Sequence, residues 1–191
     1  MSVKLFIPLL LGTTREGRYS EHVSKMILKH AKARLDIKLE LFDVRDFNFP
    51  LTDEGQSIKG KNQKWKKAVE KADALIIVSP EYNHGYPGSL KMALDTLLPE
   101  YNHKAVALCG VSMGGFGGAR VIEQLAGVVR RLGLVVTEKD LNISNVQMLF
   151  SKEGQLQGEF DLKMIDKFLD ELVWLARSLK WGRENLISKK K

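Results

Sequence analysis

The sequence predicts an α/β protein in three layers, a doubly wound parallel sheet with helices on both faces. Three observations carry this reading. Short apolar runs recur along the chain, as in Ala74-Leu75-Ile76-Ile77-Val78 and Ala105-Val106-Ala107-Leu108, with the length and continuity of strands buried on both faces. Amphipathic helical patterns separate them, so strand and helix alternate. Glycine- or proline-rich loops follow three of the runs, at the carboxyl edge where open α/β sheets place their ligands.

Taken in order, the first strand covers about 3–11 and is apolar throughout. Pro8 objects, because proline donates no ladder hydrogen bond, so a bulge or a less central position is expected. The loop Gly12-Thr13-Thr14-Arg15-Glu16-Gly17-Arg18-Tyr19 leads to Ser20 as an N-cap, and Val23, Met26, Ile27, Ala31 and Leu35 mark one helical face. Ile37, Leu39, Leu41 and Val44, alternating with Lys38 and Glu40, predict a partly exposed edge strand. The long connection over about 45–61 holds Phe47, Phe49, Pro50 and Leu51 and is expected to fold over something. Trp65, Ala68, Val69 and Ala72 give a second helix before the strand at 74–78.

Pro87 and Gly88 open a third helix with Leu90, Ala93, Leu94, Leu97 and Leu98 on one face, and Lys91 and Asp95 one turn apart form an ion pair. A fourth strand at 105–111 runs into a flexible glycine loop at 112–118. Val121, Ile122, Leu125, Val128, Val129 and Leu132 mark the fourth helix, with Gly133 as its C-cap. The fifth strand covers 134–143, interrupted at Glu138-Lys139-Asp140. The last helix buries Met164, Ile165, Phe168, Leu169, Leu172, Leu175 and Leu179. Five strands alternating with five helices fit the flavodoxin-like order 2-1-3-4-5. One domain is expected over 1–182, followed by a basic tail at 183–191.

Composition narrows the function. At 191 residues, 44% hydrophobic and 28% charged, the chain has the make-up of a globular protein and not of a disordered one. A single cysteine, Cys109, excludes a disulfide framework and fits a reducing, cytoplasmic setting. The net charge of +7 points to an anionic partner. With no recognition-helix, RNP or zinc-finger pattern, a phosphate-bearing small molecule fits better than nucleic acid. The apolar run at 5–11 is at the minimum length for a signal segment but contains Pro8 and runs into Gly12-Thr13-Thr14-Arg15 instead of a small-residue cleavage site, and no stretch approaches the ~20 apolar residues that cross a bilayer, so no membrane insertion is expected.

The loops each have rival readings. Gly12 and Gly17 have the spacing of a Walker loop, but Arg18 and Tyr19 stand where Lys and Ser/Thr are required. What remains is an anion site at a helix N-terminus with Arg15 and Arg18 nearby, or else a plain helix start with solvated arginines. Gly110-Val111-Ser112-Met113-Gly114 matches a nucleophile elbow, yet His22, His30, His84 and His103 all precede Ser112, and the glycine run delays the helix. A serine hydrolase is therefore the lesser reading. Pro80-Glu81-Tyr82-Asn83 is either a rigid surface turn or a loop that borders a planar ring. The histidines show no metal spacing.

Together, Gly-Thr-Thr-Arg-Glu-Gly-Arg-Tyr-Ser, Pro-Glu-Tyr-Asn-His-Gly-Tyr-Pro-Gly-Ser-Leu-Lys and Gly-Val-Ser-Met-Gly-Gly-Phe-Gly-Gly resemble the NADPH-dependent FMN reductase family, over roughly the first two thirds of the chain. The resemblance implies that Thr13, Arg15, Arg18 and Ser20 hold the FMN phosphate. It implies that Pro80, Glu81, Tyr82 and Asn83 border the isoalloxazine, and that Ser112, Gly114 and Gly115 close its other side. Met92 stands where the family pattern usually carries asparagine. The implied reaction is ping-pong hydride transfer from NADPH or NADH through FMN to a small acceptor, whether quinone, azo compound, flavin or oxidised metal ion. No protein group serves as acid or base. A homodimer or homotetramer is implied, with the exposed aromatic residues at 47–51 near a subunit boundary. The alternative is a flavodoxin-like one-electron carrier, against which the basic charge argues because such carriers dock through acidic surfaces.

Overall fold

A computed structural model describes residues 4–50 and 55–186. Its sheet is parallel, with strand β1 (Leu5–Leu11), β2 (Ile37–Asp43), β3 (Ala74–Pro80), β4 (Ala105–Val111) and β5 (Val135–Val136) in the order β2-β1-β3-β4-β5. A short β6 (Leu141–Ile143) also pairs with β4, so β5 and β6 form one edge strand interrupted between them, as expected. Side chains alternate along the buried strands and build two cores. Ile7, Leu9, Ile76, Val78, Ala107 and Cys109 face helices α1 (Tyr19–Ala31) and α6 (Lys163–Asn185). Leu10, Leu75, Ile77, Val106 and Leu108 face α2 (Gln63–Lys71), α3 (Gly88–Asp95) and α4 (Ala119–Arg131).

Pro8 needs neither a bulge nor an edge. The β1–β2 register runs unbroken through Pro8 opposite Glu40, while the β1–β3 ladder starts only at Leu9. Gly12 N–H donates to Val78 O, so by the two-residue period the nitrogen of Pro8 faces β3. The missing donor shortens that ladder at its lower end, where the Asp73 carboxylate accepts the Phe6 N–H at 2.9 Å. Lys180 holds the other carboxylate oxygen at 2.9 Å.

Several local expectations are corrected. Ser20 is not the N-cap: α1 starts at Tyr19, and Arg18 occupies the cap position without a capping side chain. Leu35 lies beyond the end of α1 and is 82% exposed. In the 45–61 connection Phe47 and Phe49 stack on each other and Phe47 meets Trp65, so both rings are half-buried on the second core; Leu51 lies outside the described residues. Helix α3 ends at Asp95, before Leu97 and Leu98, and its Lys91 pairs with Asp95 at 2.5 Å. Gly133 does close α4: its N–H bonds Arg130 O while Leu134 N–H bonds Val129 O, with Gly133 at φ +86°. A short helix unanticipated from sequence, α5 (Val146–Leu149), follows β6. Met164 is exposed on α6, whose buried face is Ile165, Phe168, Leu169, Leu172, Val173 and Ala176. Helix α6 also runs three residues past the boundary expected at 182, and Arg183 donates to His103 O at 2.5 Å.

Candidate active site

Three loops converge at the carboxyl edge of β1, β3 and β4. The first, residues 12–18, is bound to its neighbours by side chains. Thr13 is buried, and its Oγ1 accepts the Arg15 N–H at 3.3 Å and shares a 3.0 Å hydrogen bond with the Tyr82 hydroxyl. Arg18 is buried as well. Its guanidinium makes a two-pronged contact with the Asp43 carboxylate at the end of β2, donates to Thr13 O, and lies 3.4 Å from Glu21. Such forked pairing is geometrically demanding, so it fixes the loop as well as neutralising the charge. Arg45 clamps the loop from outside, donating to Thr14 O at 3.1 Å and Arg15 O at 2.6 Å. Arg15 itself is exposed, its guanidinium 5.5 Å from the Tyr82 ring centre.

The second loop leaves β3 as a tight hairpin. Tyr82 and Gly85 exchange both backbone hydrogen bonds at 2.9 Å, with Asn83 at φ +49° and His84 at φ +66° between them. Two successive left-handed residues make the turn that suits right-twisted strands, tolerated by asparagine and less so by histidine. Glu81 is turned away to the neighbouring helix: its Oε2 accepts the Val121 N–H in the first turn of α4 at 3.3 Å, and Oε1 lies 3.8 Å from Arg120. It satisfies one of the donors a helix start leaves unpaired.

The third loop, 112–118, is close-packed at its far end and not flexible there. A Cβ on Gly118 would stand 2.7 Å from Gly110 Cα, and one on Gly117 2.8 Å from Asn142 Cβ. Ser112 N–H bonds Ile143 O at 3.0 Å, and its Oγ donates to Gly114 O at 2.8 Å, not to a histidine. Helix α4 begins only at Ala119, which departs from the immediate strand-to-helix passage of a nucleophile elbow.

Between the loops lies a cleft of about 340 Å³ lined by residues of the first (Arg15, Arg18, Tyr19, Ser20), the second (Pro80, Glu81, Tyr82) and the third (Ser112, Met113). Thr13, which is buried, and Asn83, Gly114 and Gly115 are not among the residues that line it. Ser20 carries the site's most pointed feature: in the first turn of α1 its hydroxyl is buried without a hydrogen-bond partner. Sequence reasoning missed Asp43, Tyr19 and Val146. Asp43 sits 25 residues from Arg18 with no local signal to join them, and Val146 belongs to the unanticipated α5.

Residues 7–147, which span all three loops, match the family described as NADPH-dependent FMN reductase. The chain belongs to that family. It is thereby a member of a flavin-dependent oxidoreductase family. It is 32% identical over 153 residues to a quinone reductase of Escherichia coli K12, covering 73% of this chain and 77% of that one. The NAD(P)H-dependent FMN reductase LOT6 of Saccharomyces cerevisiae is 26% identical over 147 residues, covering 68% and 76%. Among solved structures, the flavoenzyme NAD(P)H:(acceptor) oxidoreductase FerB of Paracoccus denitrificans superposes with a TM-score of 0.74 at 22% identity, over 91% of this chain and 98% of that one, a likeness of fold. No helix among the described residues is long and apolar enough to cross a membrane.

Proposed function

We propose that this member of the family binds FMN in the 340 Å³ cleft and passes two electrons from NADPH or NADH to a small quinone-like acceptor by a ping-pong route. The carrying observation is the buried, partnerless Ser20 hydroxyl at the first turn of α1. A hydroxyl in that setting costs stability unless something accepts its proton, and an anionic phosphate oxygen beside helix N–H groups is a fitting acceptor.

The residues present fit the cofactor in kind. Ser20 and the N–H groups of the first turn of α1 would hold the phosphate, with exposed Arg15 as the mobile counter-charge. Arg18, committed to Asp43 and Thr13, shapes the loop instead of donating to a ligand. Pro80 and Tyr82 border the ring, with Asn83 behind them in the turn; Ser112, Gly114 and Gly115 form the opposite rim. Glu81 keeps the ring loop seated on α4. FMN, when bound, supplies the hydride-accepting and hydride-donating centre. The protein orients it, keeps bulk water from its buried face and offers backbone donors where negative charge gathers on reduction.

Exposed Met113 and Phe116 give the third loop an apolar edge suited to flat acceptors and to a neighbouring subunit, and a homodimer or homotetramer is part of this reading. The quinone class is supported by the names of the 32% identical Escherichia coli relative and of the 2-hydroxy-1,4-benzoquinone reductase of Burkholderia, 27% identical over 182 residues. A cytoplasmic site of action fits the one buried thiol.

The test is an anaerobic titration of the FMN-loaded protein with NADPH, followed by steady-state kinetics with a benzoquinone. Bleaching in one step and parallel double-reciprocal lines are expected. Intersecting lines would overturn the ping-pong route, and failure to retain FMN would overturn the cleft assignment.

A further inference from the structure

The face formed by α1, α6 and the edge strand β2 lies away from the cleft and carries a combination of groups that the reductase reading leaves unused. Trp174 and Trp181 on α6 are 65% and 59% exposed, and the Leu35 side chain is 82% exposed. Indoles at this exposure are uncommon on a folded surface, because each leaves a large apolar area in water. They are seven residues apart on one helix, hence on one stripe about 10 Å long. Each follows by one turn a residue directed at the α1 side: Trp174 follows Asp170, which pairs with Arg34, and Trp181 follows Arg177, which acts on Asp36. Leu35 sits between Arg34 and Asp36, which pair with each other at 2.9 Å. Each of the three apolar residues is thus adjacent in sequence, or one helical turn on, from a member of one ion-pair cluster.

Next to that cluster is a groove of about 640 Å³ that Arg34 also lines, together with Lys4, Lys25, Lys29, Lys32 and Lys38. No acid lines it, and its floor is Leu28, Ala31, Ile37 and Leu39. Lys25 pairs with Glu21; the other lysines are exposed, and none has a carboxylate partner among the described ion pairs. Lys167 extends the tryptophan stripe by one further heptad step. Protruding indoles beside a field of unpaired lysines match the two requirements of an anionic lipid interface, an amphipathic ring for the headgroup layer and cations for its charge.

We propose that this face docks the protein reversibly on anionic phospholipid surfaces, with Trp174, Trp181 and Leu35 entering the headgroup layer and the groove lysines meeting the lipid phosphates. Two exposed indoles and a leucine beside unpaired cations favour a lipid surface, whose headgroup layer takes up both, over a nucleic acid or a peptide. The contact is peripheral, and it leaves the cleft at the carboxyl sheet edge open.

The test uses the full chain and tryptophan emission. Trp65 is buried and Trp174 and Trp181 hold the remaining indoles, so the exposed signal comes from this face alone. Vesicles of equal parts phosphatidylcholine and phosphatidylglycerol should shift the emission to shorter wavelength and co-sediment the protein, while phosphatidylcholine alone should do neither. Each of Lys29→Gln and Lys32→Gln should weaken sedimentation about fivefold, and Trp174→Ala with Trp181→Ala should abolish it with the circular dichroism spectrum unchanged. Binding indifferent to lipid charge, or sedimentation untouched by these substitutions, would overturn the proposal. So would a blue shift that depends on protein concentration without vesicles, which assigns the face to a second copy of the chain, or competition of the vesicle shift by an equal charge of RNA at any lipid excess, which assigns it to nucleic acid.

Discussion

The hydroxyls of Thr13 and Tyr82 share a 3.0 Å hydrogen bond that joins the loop after β1 to the loop after β3, residues 69 positions apart in the chain. The bond sits at the floor of the cleft, so it sets the spacing between the proposed phosphate and ring segments. Tyr82→Phe should lower stability by about 1 kcal/mol and weaken FMN binding about fivefold. Thr13→Val, which also removes the acceptor of the Arg15 N–H, should cost about 1 kcal/mol more, and a double-mutant cycle should return a coupling of about 1 kcal/mol. Coupling near zero in the cycle would mean that the two loops are positioned independently.

Ser20→Ala separates affinity from stability. The buried hydroxyl has no partner in the protein, so its removal should leave the apoprotein as stable or up to about 1 kcal/mol more stable. FMN affinity should fall roughly tenfold, the worth of a hydrogen bond to a charged oxygen. Equal loss of both, by thermal melting and flavin titration, would make Ser20 a structural residue only.

Asp43→Ala leaves the buried Arg18 guanidinium with Glu21, 3.4 Å away, in place of a forked carboxylate partner. Removing one member of a fully buried pair costs about 3–5 kcal/mol; with Asp43 part-exposed and Glu21 still beside Arg18, a loss of about 2 kcal/mol and a matching fall in the urea midpoint are expected. The first loop would lose its anchor, and flavin retention should fall with it.

Two glycines of the third loop should respond oppositely to the same substitution. Gly118→Ala puts a Cβ 2.7 Å from Gly110 Cα at φ +79° and should destabilise by roughly 3 kcal/mol. Gly114→Ala has open space around it and should change the melting temperature little.

Lys104 gives a pH signature. It is buried, donates to Val69 O and Glu70 O at the end of α2, and burial, aided by Arg183, pushes its ammonium down to about 8. Between pH 8 and the ordinary 10.5 the unfolded chain keeps a proton that the folded one has released, so stability should rise with pH across that window. In Lys104→Met this rise should be absent when urea midpoints are compared pH by pH.

Much of this architecture is written in local pattern. The runs at 74–78 and 105–111 are apolar on both faces, which only the middle of a covered sheet rewards, and the loops that follow them carry the glycines and prolines of a ligand edge. What local pattern omits is long-range pairing. Ser20 has the chemistry of a cap, but α1 begins at Tyr19, with Arg18 in the cap position and held by Asp43, and nothing near Arg18 announces Asp43. Met164 has the polarity of a core residue, but it adjoins the first residue of α6, a step round from Ile165, and is left at the rim. The glycine run reads as flexibility, whereas Gly110, Gly117 and Gly118 record a close approach of backbones that only coordinates reveal.

That close approach divides the third loop by what each position can become. Gly110 against Gly118 and Ser112 against Ile143 fasten its two ends to β4 and β6, while Met113 and Phe116 between them are 64% and 68% exposed, the Phe116 ring 4.8 Å from the guanidinium of Arg120. The segment is a replaceable cassette on a fixed mount. A library varied only at these two positions should yield mostly folded proteins whose preference among acceptors differs, so a new substrate range is reachable without redesigning the scaffold.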